Sequence, residues 1–130
     1  MDLRWETIGH KMQQAGYKTH WYGKGHTGYK SWQHLPQQLG FDDFVGFLGG
    51  AQDHFASKRW AGNCPFDDFN ATYSADLYGS HALRTLEEYD ADAPDAKPLF
   101  FYLPWQNVHA PYQAPHDWTG DVLRGMLQVR

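Results

Sequence analysis

The sequence is short of cysteine, of long apolar runs and of clustered basic residues. Cys64 is the single cysteine, which excludes an internal disulfide; the thiol is expected as a free loop residue rather than a nucleophile. No run of 18 or more apolar residues occurs, so a transmembrane helix is excluded. The opening MDLRWETIGHKMQQAG is polar and amphipathic, without the features of a signal peptide. With 11 Lys and Arg against 15 Asp and Glu the formal charge is -4, and neither nucleic acid nor an anionic membrane surface finds a footprint. Any anion site must therefore be local.

What is present is aromatic and glycine-rich. Aromatic residues make up 17% of the chain while its mean hydropathy is only -0.69, so much of the apolar content is Trp and Tyr, which serve cores but also line pockets and interfaces. A chain of 130 residues is one domain at most, and surface scaling lets it bury roughly two-thirds of its unfolded surface.

The periodicities predict an α/β arrangement. Ile8, Met12 and Ala15 fall at helical spacing before Gly16, which predicts a helix over Thr7–Ala15 with a glycine cap, followed by a strand over Tyr17–Tyr22. Within the glycine-rich passage that follows, only Phe44–Leu48 reads as extended, and residues 51–72 show no sustained period and are expected as loop. Leu77, Tyr78, Ala82, Leu83 and Leu86 then line one face of a helix predicted from Ser74, its N-cap, to about Tyr89. Leu99–Leu103, bounded by Pro98 and Pro104, reads as a strand buried on both faces, and the tail from His116 as one more helix. Strand, crossover helix and strand make a parallel sheet, whose ligands belong beyond the carboxyl ends of its strands.

The loops at those ends carry the chemistry. WYGKGHTG places Lys24 and His26 two residues apart, on one side of an extended chain, with Gly23, Gly25 and Gly28 leaving room for a guest. WQNVHAPYQAP follows the second strand and brings His109 toward them across 83 positions of sequence from His26. An ammonium and two imidazoles suit a tetrahedral oxyanion. A Walker A loop is excluded, because the glycine spacing before Lys24 is wrong and neither Ser nor Thr follows it. Zinc is disfavoured by the lack of an H-E-x-x-H or Cys-His cluster, which leaves His10, His20, His34, His54, His81 and His116 as surface or packing residues. Trp21, Trp32, Trp60 and Trp105 are candidates for a cleft wall, with core packing the simpler role for each. Asn70-Ala71-Thr72 is a glycosylation sequon.

Four segments in order, AGYKTHWYGKGHTG, LPQQLGFDDFVGFLGGAQDHF, YSADLYGSHALRTLEEY and KPLFFYLPWQNVHAPYQAP, make the chain resemble the sulfatase family along nearly its whole length, most closely the arylsulfatase B-like branch. The resemblance implies that residues 1–130 are part of an N-terminal catalytic domain of alkaline-phosphatase-like fold, a mainly parallel sheet with flanking helices and long loops. It further implies hydrolysis of a sulfate ester, on a small molecule or a sulfated glycan, by a formylglycine made from cysteine beside a calcium ion, in a secreted or lysosomal setting. By the same resemblance Lys24 corresponds to the lysine on the sulfate oxygens. His26 corresponds to the histidine beside the hydrated formylglycine, and His109 to the one facing the sulfate and the leaving-group oxygen.

The departures from the family pattern are as informative. Cys64 stands in CPFDD, with Asp68 where the family motif has arginine, so it is not the formylglycine precursor. The family's paired metal aspartates belong upstream, and its Asp-Asn metal pair and second lysine downstream, so calcium ligands and formylglycine are expected to be missing from this stretch. Asp42-Asp43 fall in the GFDDF segment, which is structural in the family; Gly25 replaces a usual tryptophan, and Ala51 a serine near the substrate. The expectation is a sulfate-binding half of an active site, inactive alone; the alternative is a non-catalytic remnant that binds an anion or a partner.

Overall fold

The computed structural model describes residues 1–118 and 128–129. Helix α1 spans Ile8–Gln14, started by the Thr7 side chain, which accepts from the His10 N–H. It ends where Gly16 and Tyr17 donate to the carbonyls of Gln13 and Met12, the paired bonds of a glycine-terminated helix. Its inward face differs from the expected one: Ile8 is 54% exposed, while Gly9 is buried against the carbonyls of Leu39 and Gly40 and the ring of Phe41. Close backbone approach, not an apolar stripe, docks this helix.

Strand β1, Lys18–Lys24, runs two residues past its predicted end and takes in Gly23 and Lys24. It is the middle of the three parallel strands, with β2 (Asp43–Phe47) on one side and Trp21 opposite Phe44. On the other side it is parallel to β5 (Leu99–Tyr102), with Trp21 opposite Tyr102. The segment expected as loop between residues 51 and 72 holds a hairpin, β3 (Lys58–Ala61) and β4 (Cys64–Asp67), which extends the sheet antiparallel in the order β4-β3-β2-β1-β5. Two four-residue strands are too short for a convincing period of two, but Gly62-Asn63 between them is a two-residue hairpin signal. Cys64 is accordingly a free, exposed thiol on an edge strand rather than in a loop.

Helix α2, Ser74–Glu87, crosses over one face. Tyr73 takes the N-cap position, and Ser74 is the first helical residue, its hydroxyl spent on His54 Nδ1 at 3.2 Å. Tyr78 and Ala82 face the sheet as expected, but Leu83 and Leu86 are 61% and 52% exposed. Strand β5, expected to be buried on both faces, lies at the edge of the described sheet with Tyr102 40% exposed. The described part of the tail holds a 3-10 turn at His116–Trp118 and a short strand β7, Gln128–Val129, parallel to β6, Gln113–Ala114; the helix expected from His116 falls mostly on residues 119–127, which with residue 130 lie outside the described residues.

Alternation along the central strands sorts the core onto two faces. Trp21 and Phe44 pack with Leu39, Phe41 and Leu48 on one. Their chain neighbours Tyr22 and Val45 pack with Phe47, Tyr78 and Ala82 beneath α2 on the other. At the amino ends of β1 and β2, acids serve as clamps. Asp42 accepts the Thr19 N–H and the Gln13 amide, each at 2.8 Å. Asp43 accepts the Tyr22 hydroxyl at 2.6 Å and lies 3.8 Å from the His20 ring. The pair expected to be structural is structural.

The His20 ring and then the Tyr22 hydroxyl hold the Asp43 carboxyl down at about 2, against burial, which alone would raise it. A carboxyl depressed in the native state adds stability that is complete above its unfolded value of 3.8 and is lost as pH falls toward about 2. Asp43→Asn is therefore expected to flatten the fall of the urea midpoint between pH 4 and pH 2; parallel curves for variant and wild type would contradict this.

Candidate functional site

The carboxyl ends of the three parallel strands lie side by side, and the loops that leave them are tied together by backbone. Lys24 ends β1 with its N–H on the Pro104 carbonyl at 2.9 Å and its own carbonyl held by Trp21 Nε1 at 3.1 Å. Gly25 and His26 donate to the carbonyls of Phe47 and Leu48, at 2.7 and 3.1 Å, and so zip the loop onto the end of β2. Gly23 and Gly25 clear room for neighbouring backbone, and Gly50 for the His26 ring. A Cβ on Gly23 would stand 2.3 Å from the Pro104 oxygen, and one on Gly50 would stand 2.6 Å from His26 Nε2.

His26 does not continue the strand's alternation. Its φ of +55° is left-handed, a conformation uncommon for a side chain with a Cβ, with His among the residues that adopt it more readily. The ring is exposed and rests on Gly50. The two-residue spacing from Lys24 therefore does not by itself give both side chains one direction. Turn geometry and contact with the β2 loop decide where the imidazole goes.

His109 is exposed in the loop after β5. Its Nδ1 lies 2.7 Å from the Ala110 carbonyl, which can only accept, so Nδ1 is the donor and, in the neutral ring, Nε2 is the nitrogen with the lone pair. The loop is anchored from below by His54, 1% exposed, whose Nε2 donates to the His109 carbonyl at 3.2 Å. That bond turns His54 Nδ1 into an acceptor for the Ser74 hydroxyl. The backbone N–H of His54 reaches Gln113 Oε1 at 2.8 Å, Tyr73 stacks on its ring, and Gln106 donates to the Gln52 carbonyl. The sequence reading gave His54 a packing role and missed its position under the His109 loop. A side chain 55 residues away in sequence leaves no local signal.

The structure thus brings the segments bearing Lys24, His26 and His109 to one edge, with no hydrogen bond or ion pair among the three side chains themselves. A cavity of about 720 Å³ lies at the other edge, the amino ends, among Lys18, His20, Asp43, Arg84, Glu88 and Lys97. A second, of about 290 Å³, flanks the carboxyl end of β2. Trp21 is a core residue, whereas Trp32 and Trp105 are 58% and 43% exposed, and Trp60 lines the smaller cavity. Among the described residues no three His, Cys, Asp or Glu side chains are grouped to hold a metal ion, and no helix is long and apolar enough to cross a membrane.

This architecture has relatives. A solved structure of Ps i-CgsB superposes with a TM-score of 0.73 at 22% identity, over 86% of this chain and 28% of that one. A structure of Ps i-CgsB in complex with k-i-k-neocarrahexaose gives 0.67 at 22% identity, over 80% and 27%. In sequence, arylsulfatase J of Mus musculus is 33% identical over 121 residues, 84% of this chain and 20% of its own. An arylsulfatase of Klebsiella aerogenes is 29% identical over 122 residues, 86% and 26%. The chain spans about a quarter or less of these curated relatives. A sulfatase family model matches residues 3–125, and with it the partial alkaline-phosphatase-like sheet, its flanking helices and the order of its loops are accounted for: the chain belongs to the sulfatase family.

Proposed function

We propose that the carboxyl edge of the sheet is the sulfate-binding part of a sulfuric ester hydrolase, with Lys24, His26 and His109 directed at the oxygens of a sulfate ester. The observation that carries this reading is the fixing of Lys24, in a chain of this family, by backbone bonds to the β5 loop on one side and the Trp21 indole on the other. An ammonium carried on a flexible stem from this fixed backbone stabilises charge as it builds on the sulfuryl oxygens. Nε2 of His109 is the nitrogen left to hold or pass a proton at the leaving-group oxygen. The exposed His26 imidazole adds a donor beside them.

The described residues do not fit the family's calcium ion. Asp42 and Asp43 are occupied by Thr19, Gln13 and Tyr22 at the amino edge, and no metal-holding group is present among the described residues. Nor does Cys64 fit a nucleophile's place: β4 is three strands from β1, roughly 14 Å at the usual strand spacing. Attack on sulfur is therefore assigned to no residue of this stretch. Substrates of the whole protein are sulfate esters of small molecules or glycans on this reading, and its setting is secretory or lysosomal.

Titration of the isotopically labelled chain with inorganic sulfate is expected to shift the amides of residues 23–27 and 106–110. Lys24→Ala should weaken that binding about tenfold or more, the scale of one charge-assisted hydrogen bond. Equal affinity in the variant, or shifts confined to other regions, would overturn the assignment.

With a chromogenic aryl sulfate and calcium, the 130-residue chain alone is expected to give only the background rate, since the nucleophile supplies most of the rate in covalent mechanisms. Turnover that survives Cys64→Ala and disappears in Lys24→Ala would refute this.

Asn70 is exposed in the turn ahead of α2, with the Thr72 hydroxyl of its sequon ordered on Asp68. Expression through a eukaryotic secretory pathway is expected to add a glycan mass that Asn70→Gln removes; an unmodified Asn70 in secreted material would count against the secretory setting.

A further inference from the structure

Gly50 differs from the other close-packed glycines in what its missing side chain would strike. At Gly9, Gly23, Gly25, Gly40 and Gly46 a Cβ would meet backbone first, at 1.9 to 2.9 Å. At Gly50 the three nearest atoms all belong to the His26 ring, Nε2 at 2.6 Å, Cε1 at 2.9 Å and Cδ2 at 3.0 Å. The φ of Gly50 is not positive, so no left-handed turn requires glycine here. Its neighbour Gly49 is unlike it, since a Cβ there would meet only the Ala51 carbonyl oxygen, at an ordinary 3.7 Å. Of the pair that ends FVGFLGG, one glycine is replaceable on steric grounds and the other makes room for an imidazole.

The distances also define how the ring lies. The two carbons bonded to Nε2 are almost equally far from the Cβ position, and scarcely farther than Nε2 itself. A point in line with the ring edge would stand much farther from both carbons than from the nitrogen, whereas a point above the ring face does not. His26 therefore lies flat across Gly50, with both nitrogens in a plane clear of the glycine. Neither nitrogen has a hydrogen-bond partner among the described residues. The same loop also holds the backbone of His26, whose N–H donates to the Leu48 carbonyl at 3.1 Å, two residues before Gly50.

We infer that Gly50 is a positioning residue for His26: its bare Cα is the seat that sets the plane of the imidazole, and so the direction from which a ring nitrogen meets a sulfate oxygen. The inference rests on the sulfate-binding reading of Lys24 and His26. A methyl group on the seat pushes the ring outward by about 1 Å to reach ordinary van der Waals separation. That shift exceeds the tolerance of about half an ångström within which a binding group keeps its geometry. The imidazole is exposed and ends a side chain, so it gives way before the backbone does and the fold survives the substitution.

Inorganic sulfate titrated against the isotopically labelled chain tests this in Gly50→Ala, Gly49→Ala, His26→Ala and the double variant of Gly50 and His26. Gly50→Ala is expected to weaken sulfate binding about threefold or more, the scale of one hydrogen bond, and to add nothing once His26 is alanine. Gly49→Ala is expected to bind as wild type. Wild-type affinity in Gly50→Ala, an equal loss in Gly49→Ala, or an undiminished effect of Gly50→Ala without the imidazole overturns the inference. A second measurement is independent of how the Gly50 variant folds: in the unsubstituted chain the Gly50 α-protons, which lie against the ring face, are expected to resonate upfield and to lose that shift in His26→Ala. Ordinary α-proton shifts in both overturn the seat. Binding that needs Lys24 but not His26 overturns the positioning role and leaves the rest of the sulfate reading intact. Binding indifferent to both Lys24→Ala and His26→Ala overturns that reading itself, a failure distinguished by the persistence of the upfield shift.

Discussion

Backbone contact at the carboxyl end of β1 is the constraint on which the rest depends. Gly46 of β2 lies so close to β1 that a Cβ there would stand 1.9 Å from the Gly23 carbonyl, and Gly23 in turn lies against Pro104 after β5. No side chain fits at either place, so β1, β2 and β5 close on one another where their loops begin. The bonds from Lys24, Gly25 and His26 to Pro104, Phe47 and Leu48 follow from that closeness. A site on loops is only as well placed as the scaffold beneath it, and here three loops share one rigid base.

A buried polar layer then fixes what the strands leave free. His54 spends both ring nitrogens and both backbone groups, on His109, Ser74, Gln113 and Arg59. One residue thereby joins the α2 start, the β5 loop and the hairpin. Every such group is desolvated, so each bond it makes is costly to lose. Arg59 is the member of this layer whose charge meets no carboxylate among the described residues. Tyr78 is a second polar end in the core; burial raises its hydroxyl to about 12.

The two edges of the sheet are electrostatically unlike. At the amino edge Asp42, Asp43, Glu88, Asp90 and Asp95 surround the larger cavity, countered by Lys18, Arg84 and Lys97. At the carboxyl edge the smaller cavity has exposed Lys58 beside it and no acid in its lining among the described residues. An overall charge of -4 therefore coexists with a locally cationic edge. Bulk charge reports on long-range association, while recognition of one small anion is decided within a few ångströms.

The sequence by itself determined the order and type of the long elements. The parallel strands flanking a crossover helix, Thr7 and Gly16 as helix ends, and Lys24, His26 and His109 as residues at strand carboxyl ends were all legible from local pattern and from ordered motifs along the chain. The short hairpin at Lys58–Asp67 was not, because four-residue strands show little periodicity and gain their pairing from β2. Nor was the exposure of Leu83 and Leu86, since helical spacing defines a stripe but not which part of it meets a neighbour. Only the tertiary structure decided that Gly23 and Gly25 admit neighbouring backbone, and that His26 turns onto Gly50 through a left-handed φ. It alone set His54 beneath His109 and buried Arg59 with no carboxylate against it among the described residues. Each of these depends on contacts between segments distant in sequence, where burial and close approach, not local propensity, set the energy.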